Sequence, residues 1–276
     1  MNFDNEEGML LGQFIYTKKP LYVSHDDLIR NVLIVGQSGV GKTVFGQLLM
    51  FQQIAKGGGL VFINGKNGEM QQDESFGELN DMAAYHGRQN DVLVINLGNP
   101  DESKIDLLES IQANKIIYVM LPPTGKSQTA SNQGKMFLGD AKTAFSLLQT
   151  LPEEEKPNPP FLFFMDDAGS YATESMARLF EQNRSAKVFI CATYQSIDDM
   201  KKVDPEVLQT VMGNTWIKVF FKVAHNETAD FVTDSIGQDI ETLEIGKAVI
   251  TVGGDRVYRV EITDIDLFAK ILNKEE

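Results

Sequence analysis

The stretch Gly36-Gln37-Ser38-Gly39-Val40-Gly41-Lys42-Thr43 decides the fold of this chain. It fits the phosphate-loop pattern G-x-x-x-x-G-K-[ST] in full, with an apolar run at 32–35 before it and a predicted helix at 42–55 after it. In such a loop the backbone N–H groups point at phosphate oxygens and the lysine reaches the β- and γ-phosphates. The threonine hydroxyl can ligate Mg²⁺. The sequence therefore predicts a binding site for ATP and Mg²⁺ at residues 36–43.

Short apolar runs alternate with amphipathic stretches along the rest of the chain. Strands are predicted at 60–63, 92–95, 116–121, 161–165, 188–192 and 216–223, and a hairpin at 248–252 and 257–260. Helices are predicted at 74–85, 137–148 and 174–183. This alternation indicates a three-layer α/β fold, a mostly parallel sheet with helices on both faces. We expect residues 1–276 to form a single nucleotide-binding domain, with a second hairpin at about 12–24 beside the entry to the first buried strand.

Two carboxylates follow a continuous apolar run. Asp166 and Asp167 come directly after the predicted strand at 161–165. The carboxyl edge of a parallel sheet is where ligands bind, so Asp166 can hold the Mg²⁺ hydration shell. Asp167 can then orient or deprotonate the attacking water. The alternative is an exposed acidic turn that caps the next helix.

Two further polar residues flank the predicted strand at 188–192. Gln195 follows it and can contact the γ-phosphate or the water, or else cap the next turn. Arg184 precedes it, either as a solvated side chain or as an arginine finger that acts on a neighbouring subunit.

Composition excludes several classes of protein. The net charge of −14 argues against nucleic-acid binding through the average field of the protein. The single cysteine excludes a disulfide framework and a Cys-rich zinc site. The three histidines are scattered and have no metal-binding spacing. There is no apolar run of about 18 residues and no secretory signal pattern. We therefore expect this chain itself to be soluble and to belong to a reducing compartment.

The motifs, in this order, resemble the type IV secretion coupling proteins, the TraG/TraD and DotL-like family of hexameric ATPases related to the FtsK/HerA translocases. The segments that carry the resemblance are GQSGVGKT (36–43), LVFINGKNGE (60–69), KIIYVMLPPTGKS (115–127), FLFFMDDAGSYA (161–172), NRSAKVFICATYQS (183–196) and NTWIKVFFKV (214–223). The resemblance implies a RecA-like P-loop NTPase. It also implies that Gly41, Lys42 and Thr43 bind nucleotide and Mg²⁺. Asp166 would be the acid that holds Mg²⁺, and Asp167 the catalytic acid. Gln195 would be the sensor, and Arg184 a finger supplied in trans.

The resemblance further implies a motor at the cytoplasmic face of the bacterial inner membrane. It would couple ATP hydrolysis to the recruitment and translocation of a secreted protein or a relaxase–DNA complex into type IV secretion channel components. Two alternatives remain, an ATP-binding docking platform with little hydrolysis and a HerA-like DNA translocase. Family members often carry Glu at the position of Asp167, and this shorter acid is the reason for the first alternative.

The sequence departs from the family in two parts. The membrane helices are not present, and the inserted all-helical domain is absent near 99–102. Either the chain is a trimmed piece of a longer protein or it is a naturally reduced relative. Full-length family members form homo-hexamers, but without those membrane helices we expect this chain to be mainly monomeric.

Overall fold

The computed structural model describes residues 8–65, 74–98, 105–122, 127–171, 174–203, 205–224 and 227–263. Within these ranges the strands are β1 (Met9–Phe14), β2 (Pro20–Val23), β3 (Val32–Val35), β4 (Leu60–Asn64), β5 (Val92–Asn96), β6 (Ile116–Met120), β7 (Phe161–Met165), β8 (Val188–Tyr194), β9 (Ile217–Phe221), β10 (Lys247–Val252) and β11 (Arg256–Glu261). The helices are α1 (His25–Leu28), α2 (Lys42–Ala55), α3 (Glu74–Tyr85), α4 (Leu107–Gln112), α5 (Ser127–Thr150), α6 (Glu174–Gln182), α7 (Ile197–Val203), α8 (Pro205–Gly213) and α9 (Glu227–Ile236). The predicted site of the missing helical domain, 99–102, lies outside the described residues.

The described strands form one sheet in the order β2-β1-β11-β10-β9-β3-β8-β7-β4-β6-β5. Neighbours from β9 to β5 pair in parallel, whereas β10, β11, β1 and β2 extend the sheet in antiparallel fashion. The prediction of a mostly parallel sheet is confirmed. β3, β8 and β7 are consecutive in the sheet and pair in parallel. Their carboxyl ends therefore lie at the same edge.

Both faces of the sheet are covered, as strands apolar on both sides require. In β3, Val32 and Ile34 pack on the face that α2 and α3 cover, while Leu33 and Val35 pack on the opposite face. Helices α4 to α9 contribute apolar side chains to that opposite face. The three-layer arrangement is therefore as predicted. None of the helices in the described ranges combines the length and hydropathy that crossing a bilayer would require.

The N-terminal hairpin differs from its predicted position. The predicted hairpin region begins at about residue 12, but β1 occupies Met9–Phe14 and carries a bulge near Gly12, whose φ is +147°. In the sheet the hairpin lies at the outer edge, with β11, β10 and β9 between β1 and β3. The hairpin is therefore not a neighbour of β3 in the sheet. The cause is the β10–β11 hairpin, which continues the sheet from β9 and offers its free edge to β1.

Candidate nucleotide-binding site

The phosphate loop lies between β3 and α2. Gly39 and Gly41 have φ values of +78° and +116°, which L side chains rarely adopt. Gly36 is packed so closely that a Cβ there would lie 2.6 Å from Cβ of Phe221. Gly41 is the N-cap of α2, so the first N–H groups of this helix have no side-chain cap. Such a helix start favours anions.

Lys42 is folded back over the loop. Its Nζ donates hydrogen bonds to the carbonyl oxygens of Gly36 at 2.6 Å and Gln37 at 2.8 Å. The main-chain nitrogens of the same two residues donate to Tyr194 and Lys222, which fixes the loop on the ends of β8 and β9. The ammonium group is thus held at the mouth of the loop, where it can meet a phosphate.

The two predicted carboxylates stand at the end of β7, at the same edge of the sheet. Asp166 is 4% exposed, and its main-chain oxygen accepts a hydrogen bond from the Tyr171 hydroxyl at 3.0 Å. Asp167 has a left-handed backbone, with φ 47° and ψ 49°. Thr193 contacts both: its hydroxyl donates to Asp166 Oδ1 at 2.8 Å and accepts from the Asp167 N–H at 2.8 Å. The contact between β8 and the end of β7 therefore fixes the positions of the two aspartates relative to each other.

The electrostatics of Asp167 differ from those of a solvated carboxylate. Burial raises its pKa, and the negative charge of Asp166 raises the pKa further. A side-chain hydrogen bond from Gln195 and the charge of Lys42 act in the opposite direction. The pKa of Asp167 consequently lies above that of an exposed aspartate.

A single cavity of about 380 Å³ joins the loop to the carboxylates. Its lining residues are Ser38, Gly39, Gly41, Lys42, Thr43, Val44, Asp166, Asp167, Thr193, Gln195, Ile245, Gly246 and Ile262. Most predicted site residues meet here. Val40 instead turns into the core and is 2% exposed.

Five lining residues have no predicted role: Val44, Thr193, Ile245, Gly246 and Ile262. Gly246 N donates to the Val40 carbonyl at 3.0 Å, which brings the segment before β10 onto the phosphate loop. Ile245 is 75% exposed although it is a large apolar residue. The sequence held a signal for Thr193, a hydroxyl close after the buried run at 188–192, but none for the isoleucines.

Arg184 lies apart from this cavity. It is exposed in the turn between α6 and β8, at the amino edge of the parallel strands. The seven residues of β8 separate the two edges by about 23 Å at 3.3 Å per residue. The turn is anchored by Asn183, which is 1% exposed, donates to Val188 O and exchanges side-chain hydrogen bonds with buried Asn31. Within one chain, therefore, Arg184 does not join the other site residues.

Comparisons with known proteins agree with this geometry. The sequence model of the family described as "TraM recognition site of TraD and TraG" matches residues 160–245, a segment that contains both carboxylates, Arg184 and Gln195. None of the curated proteins searched matches the sequence. The resemblance to coupling proteins is thus confirmed on the segment that follows the phosphate loop.

Solved structures show the same fold at low sequence identity. The bacterial conjugative coupling protein TrwBdeltaN70, in its unbound form, is 13% identical, with 91% of this chain and 88% of that chain covered and a TM-score of 0.62. VirB4 of Thermoanaerobacter pseudethanolicus is 11% identical over 94% of this chain and 97% of its own, with a TM-score of 0.65. TrwB in complex with ADP and Mg²⁺ is 12% identical over 92% and 89%, with a TM-score of 0.59. The fold is therefore that of the RecA-like P-loop NTPases.

Proposed function

We propose that this chain is a Mg²⁺-dependent ATPase of the coupling-protein type. The observation that carries the proposal is the single cavity in which Lys42 and Thr43 of the phosphate loop face Asp166 and Asp167. The similar protein TrwB has been solved with ADP and Mg²⁺, which supports the choice of ligand.

The loop is built to hold the phosphates of the nucleotide. The uncapped start of α2 and the left-handed glycines favour an anion, and Lys42 supplies a positive charge. Its two hydrogen bonds to carbonyl oxygens of the loop keep the ammonium group where β- and γ-phosphate oxygens would be bound. Binding should therefore depend on Lys42 more than on any other side chain of the loop.

The donor set fits Mg²⁺. The Thr43 hydroxyl and the Asp166 carboxylate line the same cavity, and both are hard oxygen ligands of the kind that Mg²⁺ takes. We infer that these two residues hold the ion, directly or through its water shell. When bound, Mg²⁺ supplies positive charge that neutralises the β- and γ-phosphates.

Hydrolysis is assigned to Asp167 and Gln195. Asp167 accepts a proton from the attacking water at its carboxylate, and a pKa raised above that of an exposed aspartate makes this carboxylate a stronger base. The Gln195 side-chain nitrogen lies 3.4 Å from Asp167 Oδ1, so the amide can orient the same carboxylate and sense the γ-phosphate. Ile245 and Ile262 are apolar lining residues of the cavity, and we infer that they contact the nucleobase.

We infer the coupling role from the resemblance. The segment 160–245 matches the TraM recognition site of TraD and TraG, so we expect this part of the chain to contact a protein partner as well as the nucleotide. The substrate would be a secreted protein or a relaxase–DNA complex, passed to type IV secretion channel components at the inner membrane. Within its own chain, Arg184 lies at the edge of the sheet opposite to the cavity. In a hexamer, we infer that Arg184 of each subunit reaches the cavity of its neighbour.

The experiment that tests this proposal is ATP hydrolysis and binding by the purified chain and its Asp167→Asn variant. The variant keeps the shape of the side chain but not the base, so turnover should fall by about 10²-fold while ATP affinity persists. Asp140→Asn, an exposed carboxylate on α5, is the matched control and should be fully active.

Three outcomes would contradict it. Equal turnover in Asp167→Asn would mean that Asp167 is not the base. ATP binding without hydrolysis in the wild type would favour the docking platform. Single-stranded DNA binding with a steep salt dependence, without a protein partner, would favour the HerA-like translocase.

A further inference from the structure

We propose that Thr193 is a positioning residue that sets the geometry of both carboxylates at once. The inference rests on the proposed function above, since it concerns the hydrolytic step assigned to that site. Thr193 lies in β8, which pairs in parallel with β7, and its side chain reaches the point where β7 ends.

The hydroxyl of Thr193 is used in two directions. It donates a hydrogen bond to Asp166 Oδ1 at 2.8 Å, and its oxygen accepts a hydrogen bond from the Asp167 N–H at 2.8 Å. A hydroxyl group has one proton, so while it donates to Asp166 it can act only as an acceptor toward Asp167. Thr193 is fully buried where it borders the cavity, so both bonds are made within the protein.

The bond to Asp167 controls where the proposed base points. Asp167 has a left-handed backbone, which aspartate tolerates but does not prefer. With its N–H tied to Thr193, the residue is held in this conformation and its carboxylate faces Gln195. Loss of the hydroxyl would release the constraint on the main chain and leave a partly buried N–H without this acceptor.

The bond to Asp166 controls the proposed magnesium ligand. A hydroxyl that donates to Oδ1 fixes the rotation of the carboxylate about its last bond and stabilises its negative charge. The Thr193 side chain therefore fixes the orientation of both Asp166, the proposed magnesium ligand, and Asp167, the proposed base. A role in packing alone would require only the apolar part of the threonine, and this difference makes the proposal testable.

The test compares Thr193→Val with Thr193→Ser in the full chain. Valine keeps the branched shape and removes the hydroxyl, whereas serine keeps the hydroxyl and removes a methyl group. For Thr193→Val we expect kcat to fall by at least about tenfold, with ATP affinity within about threefold and a higher Mg²⁺ concentration for half-maximal activity. Thr193→Ser should retain kcat within about threefold of the wild type and its Mg²⁺ requirement.

Two controls separate positioning from folding. Thr215→Val removes the hydroxyl of another buried threonine, one that bonds to Val211 O at the opposite edge of the sheet, and should leave kcat and the Mg²⁺ requirement unchanged. If Thr193→Val fails to fold, Thr193→Ala and Thr193→Ser form a second pair that differs only by the hydroxyl. In that pair the alanine variant is expected to show the loss.

The outcomes are distinct. A wild type that neither binds nor hydrolyses ATP overturns the proposed function and this inference together. An active wild type with a Thr193→Val variant of normal kcat and Mg²⁺ requirement overturns the inference alone. The same holds if serine fails to restore what valine or alanine loses.

Discussion

The side-chain nitrogen of Gln195 lies 3.4 Å from Oδ1 of Asp167, so a residue that follows β8 contacts the acid that follows β7. The contact places an amide donor beside a carboxylate whose pKa is raised by burial and by the charge of Asp166. Two influences lower the pKa of this carboxylate, and the amide hydrogen bond from Gln195 is larger than the charge of Lys42. Substitution of Gln195 should therefore raise the pKa of Asp167.

Removal of the Gln195 amide should move the acid limb of the activity profile to higher pH. If the ionised form of Asp167 is the base, activity is lost as pH falls through its pKa, and Gln195→Leu raises that pKa because a donor to the ionised form is gone. The measurement is kcat against pH for the wild type and the variant, which is expected to be slower throughout. A limb that stays in place or moves to lower pH would show that Asp167 is not the titrating base.

We expect that Gly65 cannot be replaced by a residue with a side chain without loss of activity. A Cβ there would lie 2.4 Å from the Asp166 carbonyl oxygen and 3.0 Å from Cβ of Asp167, so the turn that carries both acids would have to move. We expect Gly65→Ala to lose most hydrolytic activity and about 1–3 kcal/mol of unfolding free energy. Gly77→Ala is the control, because its Cβ would meet open space on α3 and should leave activity unchanged. Normal turnover in Gly65→Ala would mean that the position of the acids is not critical.

Ile245 should contribute to nucleotide binding and not to folding. It is 75% exposed yet lines the cavity, so Ile245→Ala should leave the unfolding midpoint in denaturant almost unchanged. Burial of the side chain by a nucleobase is worth about 1 kcal/mol, which predicts ATP binding weaker by roughly threefold to tenfold. Leu147→Ala, at a half-exposed apolar position on α5, is the control. Equal ATP affinity in both variants would place the nucleobase elsewhere.

The fold and the core of the site could be predicted because each depends on local sequence. The residues at 36–43 carry their own backbone requirement, and apolar runs that end in acid, such as 161–167, place carboxylates at a known edge of a parallel sheet. The remaining features depend on contacts between distant segments. Ile245 reaches the loop only because Gly246 bonds to Val40, and nothing in the local pattern encodes that pairing. The position of β1 likewise depends on the edge that β11 leaves open.

Arg184 should act only between subunits. It lies at the opposite edge of the sheet from its own cavity, and an arginine finger is worth about 10³–10⁵ in rate. We expect a mainly monomeric chain with weak ATPase activity, because a net charge of −14 opposes association at low salt. Specific activity should then rise with protein concentration.

Mixed variants test the same point directly. Arg184→Ala subunits keep an intact cavity, and Lys42→Ala subunits keep the arginine, so a mixture should regain part of the activity that each lacks alone. Lys187→Ala, in the same turn as Arg184, replaces Arg184→Ala in the control mixture and, assayed alone, should be as active as the wild type at the same protein concentration. Flat specific activity from nanomolar to high micromolar protein, with no gain on mixing, is the result that rules out a role in trans.

The central claim is that residues 36–43 bind ATP through Lys42, and equilibrium binding of ATP to the wild type and to Lys42→Ala tests it most directly. Charge-assisted contacts to phosphate are worth about 1.5–3 kcal/mol, so the variant should bind ATP at least about tenfold more weakly. Lys56→Ala, at the other end of α2, is the matched control and should bind ATP as the wild type does. ATP affinity that is the same in the wild type and in Lys42→Ala would contradict the account.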